Sequence, residues 1–146
     1  MSNIDIPGGR ELFAALDKLP DAIALKIMRA GLRASGRVFL ENAKQTTAFA
    51  DRTGMLRKSL RLSIGSRVKN GEITGRVRAG GGKENAFYAH FIEFGTVKMS
   101  AKPFMRTTFD SQGARAVTAF VEEARKRWLR EKLSQYKGAP VRGMPT

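Results

Sequence analysis

Hydrophobic residues recur every three or four positions in three segments of the chain, which is the period of an α-helix. The segments are residues 10–18, residue 20 to about residue 44, and about residue 110 to residue 137. Pro20 suits the first turn of the second segment, and Asp21 complements the positive end of its helix dipole. The pattern therefore predicts one short helix and two long ones.

Each long segment places its apolar side chains on one face and its charged side chains on the other, as half-buried helices do. The apolar faces comprise Leu25, Ile27, Met28, Leu32, Val38 and Phe39 in one segment, and Val117, Phe120, Val121, Ala124, Trp128, Leu129 and Leu133 in the other. In the first of the two, Gly31 and Gly36 permit close approach of another element. In the last one, Asp110 or Ser111 can cap the helix. We expect the two apolar faces to pack against each other or against a sheet.

The middle of the chain alternates apolar and polar residues, which indicates β-strands with one buried face. Thr53 can cap a short helix that reaches Ser59, and a strand follows at residues 60–64. Asn70-Gly71 is a strong signal for a tight hairpin turn, and residues 73–78 suit the return strand. A β-hairpin is therefore expected between the two long helices.

Residues 87–96 are the densest aromatic run in the chain and contain its single histidine, His90. Apolar residues occupy both odd and even positions of this run, which predicts a strand covered on both faces. Helices of the same chain could cover one face, and a second subunit could cover the other. Glu93 lies inside the run and needs a hydrogen-bond donor, either Arg106 or backbone amides. Residues 103–109 are expected to turn the chain.

Together these elements predict an α+β domain. It would hold an antiparallel sheet of about three to four strands, with a long N-terminal-half helix and a C-terminal helix packed on it. A chain of 146 residues suits a single domain, which we expect to span residues 1–138. Residues 139–146 are expected to form a flexible C-terminal tail, because they include two prolines and a glycine.

Composition adds a strong positive charge to this picture. The chain has 27 lysines and arginines against 13 acidic residues, for a formal charge of +14. Such a charge favours contact with phosphate groups or with acidic protein surfaces. Part of it forms a stripe on the predicted long helix, which is either a functional surface or simply the solvated face of the helix. This basic stripe comprises Lys26, Arg29, Arg33, Arg37 and Lys44.

Residues with reactive side chains do not form the groupings that catalysis or metal binding requires. In a strand, His90 and Glu93 would point to opposite faces. The chain has no cysteine, so thiolate metal sites and disulfides are excluded. Residues 80–83 are rich in glycine but lack the spacing and the hydroxyl residue of a phosphate-binding loop. We therefore expect no enzymatic activity, no metal ion and no cofactor.

Two motifs, taken in order, carry a family resemblance. The first is RTGMLRKSL at residues 52–60, and the second comprises YA at residues 88–89, IEFGT at 92–96 and PFMR at 103–106. They resemble motifs of the neck, head–tail joining or tail-completion proteins of tailed bacteriophages, which are often called minor tail proteins. That family usually continues with Pro-Ala after the last motif, where this chain has Thr107-Thr108.

The resemblance implies a virion structural protein of the head–tail connector, made in the host bacterial cytoplasm. It would assemble as an oligomeric ring through which DNA passes. The implied partners are copies of itself and other phage head-completion and tail proteins, with non-specific DNA contact in the channel. No membrane contact is expected, because no apolar run approaches the roughly 20 residues of a membrane span.

We expect an assembly interface at the aromatic run, supported by Tyr88, Glu93, Phe94 and Thr96. An aromatic anchor and a charged hydrogen-bond acceptor are typical of protein interfaces. The high charge keeps a second function open, a basic nucleic-acid-binding module, and a small enzyme such as a nuclease is a third. Against the second, the aromatic residues cluster apart from the basic stripe, whereas nucleic-acid surfaces interleave the two.

Overall fold

The computed structural model of the protein describes residues 8–65, 72–80 and 86–137. Its elements in chain order are α1 (Gly9–Leu16), α2 (Asp21–Gln45), α3 (Met55–Ser59), β1 (Arg61–Ile64), β2 (Gly75–Arg78), α4 (Ala89–Phe94) and α5 (Phe104–Lys137). This is an α+β fold, as the sequence predicts. The predicted Asn70-Gly71 turn and the predicted tail at residues 139–146 lie outside the described residues.

Helices α2 and α5 form the main packing unit of the fold. Near the start of α2, Ile27 shares a buried cluster with Ala124 of α5. Further along α2, the ring of Phe39 stacks on that of Phe109, with the ring centroids 4.2 Å apart. The contacts advance along α2 while they retreat along α5, so the two helices run antiparallel.

Two glycines of α2 allow this close packing on two sides, as the sequence predicts. A Cβ atom on Gly31 would lie 2.7 Å from the ring of Phe120, so the ring occupies the space of the missing side chain. A Cβ atom on Gly36 would collide with the side chain of Leu62 in β1. Helix α2 therefore lies between α5 and the hairpin, and holds both.

The hairpin strands β1 and β2 pair antiparallel, with Leu62 opposite Val77 and Ile64 opposite Gly75. These residues form the face directed toward α2, because Leu62 packs on Gly36 and both aliphatic chains of β1 are half-buried. Within residues 8–65, 72–80 and 86–137 the sheet has two strands, so the predicted three to four strands are not confirmed.

The prediction of a strand at the aromatic run is wrong, because these residues form helix α4. The N–H of Ile92 donates to the carbonyl of Tyr88 at 3.1 Å, and that of Gly95 to Phe91 at 2.8 Å. A short helix with apolar residues on two sides produces the same sequence pattern as a strand covered on both faces. The inner side of α4 buries Ala89, and its outer side carries aromatic rings exposed to solvent.

Helix α5 begins at Phe104 rather than near Asp110, so the predicted turn at residues 103–109 is also wrong. Pro103 immediately precedes the first helical residue, where its fixed φ suits a helix start. The helix contains 34 residues, which corresponds to a length of about 51 Å. It therefore connects the region of α4 with that of α1.

The buried side chains form two clusters at different levels of the α2–α5 pair. One comprises Ala43, Phe49, Leu56, Leu60, Ala86, Ala89 and Phe104, and the other comprises Leu12, Leu16, Ile27, Val121 and Ala124. The first joins α2, α3, α4 and the start of α5, and we call it the motif core. The second joins α1 to α2 and α5. Leu129 and Leu133, which the pattern assigns to the apolar face of α5, are exposed.

Candidate assembly surface

Glu93 holds the start of helix α5. Its carboxylate accepts hydrogen bonds from the backbone N–H groups of Met105 at 2.9 Å and Arg106 at 3.0 Å. The first N–H groups of a helix lack partners within the helix, and the helix dipole favours a negative charge at that end. The sequence predicts either Arg106 or backbone amides as the donors to Glu93, and in the structure the donors are backbone amides.

A tight turn after α4 brings Glu93 to this position. Gly95 has φ 77° and ψ −179°, a conformation that is essentially restricted to glycine. Thr96 and Met99 exchange backbone hydrogen bonds of 2.8 and 3.2 Å, and the N–H of Lys102 donates to the carbonyl of Ile92 at 2.8 Å. The IEFGT and PFMR motifs thus encode one unit, in which a short helix, a turn and a capped long helix are joined.

The first motif is fixed in a similar way by Arg57. Its guanidinium group donates to the backbone carbonyls of Lys44 and Thr46, at the end of α2, and lies 5.1 Å from the ring centroid of Phe49. The backbone N–H of Arg57 donates to the carboxylate of Asp51 at 2.9 Å. These contacts satisfy carbonyls that the end of α2 leaves without helical partners.

Ser59 completes the first motif from a fully buried position. Its hydroxyl donates to the Leu56 carbonyl at 2.7 Å and accepts from the Gly80 N–H at 3.1 Å. Leu56 is itself fully buried in the motif core. There Phe104 of the second motif packs edge-on against Phe49, with centroids 4.8 Å apart. The two motifs therefore meet in one core, and most of their residues have structural roles.

The outer side of α4 has the opposite character, because it exposes large aromatic rings. Phe87, Phe91 and Phe94 are 71%, 43% and 58% exposed and follow one another at helical spacing. The exposed His90 lies between them, with its ring centroid 4.8 Å from that of Phe94. We call these four residues the α4 aromatic face. The guanidinium of Arg106 lies 5.9 Å from the Phe94 centroid.

The four residues predicted for an assembly interface divide between the two sides of this unit. Tyr88 is half-buried against the motif core, and Glu93 is half-buried at the start of α5. Phe94 and Thr96 are exposed. Sequence reasoning missed Phe87, His90 and Phe91 as surface residues. Their spacing of three and four residues is the signal of a helical face, whereas the prediction of a strand assigns the run a period of two residues.

The predicted basic stripe is present on α2. Lys26, Arg33, Arg37 and Lys44 are exposed, and Arg29 is half-buried. The hairpin adds three exposed arginines that do not belong to the predicted stripe, Arg61, Arg76 and Arg78. Positive charge therefore extends from α2 over the hairpin.

The described residues hold neither a cluster of metal ligands nor a membrane-spanning helix. Among the described residues, no group of three or more histidine, cysteine or acidic side chains is arranged to hold a metal ion. No helix within these same ranges is both long and apolar enough to cross a membrane.

Comparison with protein families places the chain among phage proteins. Residues 10–95, more than half of the chain, match a family described as "Bacteriophage HK97-gp10, putative tail-component". The chain therefore belongs to the HK97-gp10-like family of phage tail components, and the resemblance indicated by the two motifs is confirmed. No curated protein and no solved structure matches it. As a phage tail component, the protein is a part of the virion.

Proposed function

We propose that the protein is a structural component of the phage head–tail connector, as a neck or tail-completion protein. In this proposal it assembles through the α4 aromatic face into an oligomeric ring through which DNA passes. The observation that carries the proposal is the exposure of three phenylalanines, two on helix α4 and one just before it, while the other side of the helix is anchored in the motif core. The family supports the coarser role of a tail component.

Exposed aromatic residues at helical spacing favour a protein partner. Grouped apolar residues on a protein surface are costly in water and mark interaction sites more often than isolated ones. Aromatic side chains also contribute much of the binding energy at protein interfaces, where single residues can account for about 2 kcal/mol or more. The α4 aromatic face combines both properties within the eight residues from Phe87 to Phe94.

The anchoring of α4 supports the same proposal, because a rigid surface loses little conformational entropy on binding. Ala89 fixes the inner side of the helix in the motif core. Glu93 and the Gly95 turn fix its end against α5. In a ring, this face would contact a different surface of the next subunit, and a rotation that closes would produce the ring.

The proposed mechanism is assembly, without catalysis. The partners would be further copies of this chain and other phage head-completion and tail proteins. Tyr88 and Glu93, on the buried side of this unit, would hold α4 in position. Phe94 and Thr96, on its exposed side, would contact the partner. This assignment keeps the four predicted residues in one unit and gives them two kinds of role.

An assembly assay tests the proposal. We expect the double variant Phe91→Ala/Phe94→Ala to remain folded, because both rings are exposed, and to lose higher oligomers in light scattering. It should also fail to restore infectious particles in a complementation assay. Circular dichroism checks the fold, and phage yield measures the function.

The matched control is Leu129→Ala/Leu133→Ala, which removes two exposed apolar side chains from α5. We expect this control to assemble and to complement like the wild type. Normal oligomers and normal phage yield in the α4 variant would contradict the proposal. Equal loss in both variants would mean that exposed apolar surface in general, and not the α4 aromatic face, drives association.

A further inference from the structure

The hairpin presents a face made almost entirely of arginine. In the register of β1 and β2, Arg61 pairs with Arg78, and Ser63 pairs with Arg76. Directly paired residues lie on the same side of a sheet, so these four side chains share one face, and all four are exposed. The opposite face packs toward α2 through Leu62. The arginines are therefore directed to solvent by the same alternation that buries the aliphatic residues.

A cleft connects this face to the basic stripe of α2. Arg33 and Arg37 of α2 and Arg61 of β1 line an open cleft of about 500 Å³, together with Leu40, Leu62 and Ile64. Arg61 thus belongs to both the cleft and the outer face of the hairpin, where it pairs with Arg78. We call the five arginines of the cleft and this face the arginine surface: Arg33, Arg37, Arg61, Arg76 and Arg78.

Folding alone gives no reason for this arrangement. Like charges placed directly opposite each other in a sheet are destabilising, and Arg61 and Arg78 form such a pair. Within the described part of the chain, no carboxylate lies within ion-pair distance of the five arginines. Their guanidinium groups are therefore available to an external anion, and each can bind a phosphate through two parallel hydrogen bonds.

The surface chemistry favours nucleic acid over an acidic protein as the partner. Protein interfaces are also enriched in arginine, but their centre is apolar or aromatic. Protein–DNA interfaces are more polar and much more positively charged. The outer face of the hairpin carries three arginines and a serine and has no aromatic residue, whereas the α4 aromatic face exposes three phenylalanines. The two surfaces thus suit two different classes of partner.

We propose that the arginine surface binds the phosphate backbone of duplex DNA without regard to base sequence. Contacts to phosphate carry no sequence information directly, and their strength falls steeply with salt concentration. If the protein forms the proposed ring, this face would be directed to the channel, and this orientation rests on the proposed function. DNA binding by the isolated chain does not depend on the ring.

The test measures binding of the full chain to a labelled duplex of about 30 base pairs by fluorescence anisotropy over a series of NaCl concentrations. Each neutralised phosphate contributes about 0.9 to the slope of log affinity against log salt. The slope is negative, and we expect the triple variant Arg61→Gln/Arg76→Gln/Arg78→Gln to reduce its magnitude by about 2 to 3. The corresponding triple substitution to lysine should keep most of the slope, because the charges remain.

The control Arg115→Gln/Lys126→Gln/Arg130→Gln removes the same charge from exposed positions of α5. We expect its slope to stay within about one phosphate contact of the wild type. Equal losses in the two glutamine triples would show that net charge alone binds DNA and would overturn the proposal. Absence of salt-dependent binding by the wild type would also overturn it. So would a preference for immobilised polyglutamate over DNA at equal charge, which would identify an acidic protein as the partner.

Because the measurement uses isolated subunits, it can fail while the assembly assay succeeds, and the reverse also holds. Loss of oligomers in the α4 variant with wild-type DNA binding would support the assembly role. Loss of DNA binding in the arginine variant with wild-type oligomers would support the DNA contact.

Discussion

Gly95 and Gly113 differ in whether the structure requires a glycine at their position. Gly95 adopts a positive φ, and a Cβ atom there would lie 2.7 Å from the Ala101 nitrogen and 2.8 Å from the Met99 oxygen. These are backbone atoms, which cannot move away as a flexible side chain could. Gly113 lies within α5, and a Cβ atom there would have no neighbour within 4 Å. The first glycine is required by the turn, whereas the second only weakens a helix.

The two glycines should therefore respond in opposite directions to alanine. We expect Gly95→Ala to lower the free energy of unfolding by about 2–3 kcal/mol, because it adds a collision to an unfavourable backbone conformation. We expect Gly113→Ala to raise it by about 0.5–1 kcal/mol, because alanine is the better helix former. Urea denaturation of both variants measures the difference. A stable Gly95→Ala variant would mean that the turn after α4 has another conformation.

At the scale of elements, the start of α5 depends on a residue of another helix. Glu93 belongs to α4, yet its carboxylate caps α5 through the N–H groups of Met105 and Arg106. Pro103 precedes the first turn, but its side chain has no oxygen atom that could accept hydrogen bonds from these N–H groups. The cap therefore couples the position of α4 to the beginning of the longest helix in the described chain.

Replacement of Glu93 should test this coupling. We expect Glu93→Ala to lower the free energy of unfolding by about 1–2 kcal/mol, the usual range for loss of a helix cap. Glu93→Gln should cost less, because its amide oxygen can still accept one of the two hydrogen bonds. Glu122→Gln, on the exposed side of α5, is the matched control for loss of a negative charge. Chemical denaturation gives the values, and equal effects of Glu93→Gln and Glu122→Gln would contradict the capping role.

The elements that the sequence predicts well are those whose own residues determine them. Helix α2 follows from a long apolar stripe, and its two glycines are points of close approach, as the sequence predicts. The two strands of the hairpin follow from the alternation of apolar and polar residues, whereas the register that pairs Leu62 with Val77 does not. Helix α4 could not be assigned in this way, because six residues with apolar side chains on two sides show no clear period.

The remaining errors have a common physical cause, which is that the deciding contacts come from elsewhere in the chain. The start of α5 is set by Glu93, which precedes Met105 by 12 positions. The exposure of Phe94 depends on which side of α4 the motif core occupies. Periodicity within a segment contains neither piece of information. The four residues predicted for assembly could therefore not be divided into buried and exposed ones from the sequence.

At the scale of the whole molecule, two kinds of exposed surface lie on different elements. The α4 aromatic face is apolar and anchored to α5, whereas the arginine surface belongs to α2 and the hairpin. In the proposed ring, the first surface would contact neighbouring subunits and the second would contact nucleic acid. If the two surfaces act separately, substitutions in one should leave the other unchanged, because distant sites without shared partners contribute additively.

A variant that combines both sets of substitutions tests this separation. The arginine variant Arg61→Gln/Arg76→Gln/Arg78→Gln should keep wild-type oligomers in light scattering and lose the salt slope of DNA binding. The aromatic variant Phe91→Ala/Phe94→Ala should lose the oligomers and keep the slope, measured at concentrations where the wild type is monomeric. The combined variant should show both losses. The free-energy change of each process should agree to within about 0.5 kcal/mol with that of the corresponding separate variant. Oligomers that dissociate when only the arginines are replaced would mean that neighbouring subunits bind through the arginine surface, and the division of roles would then be wrong.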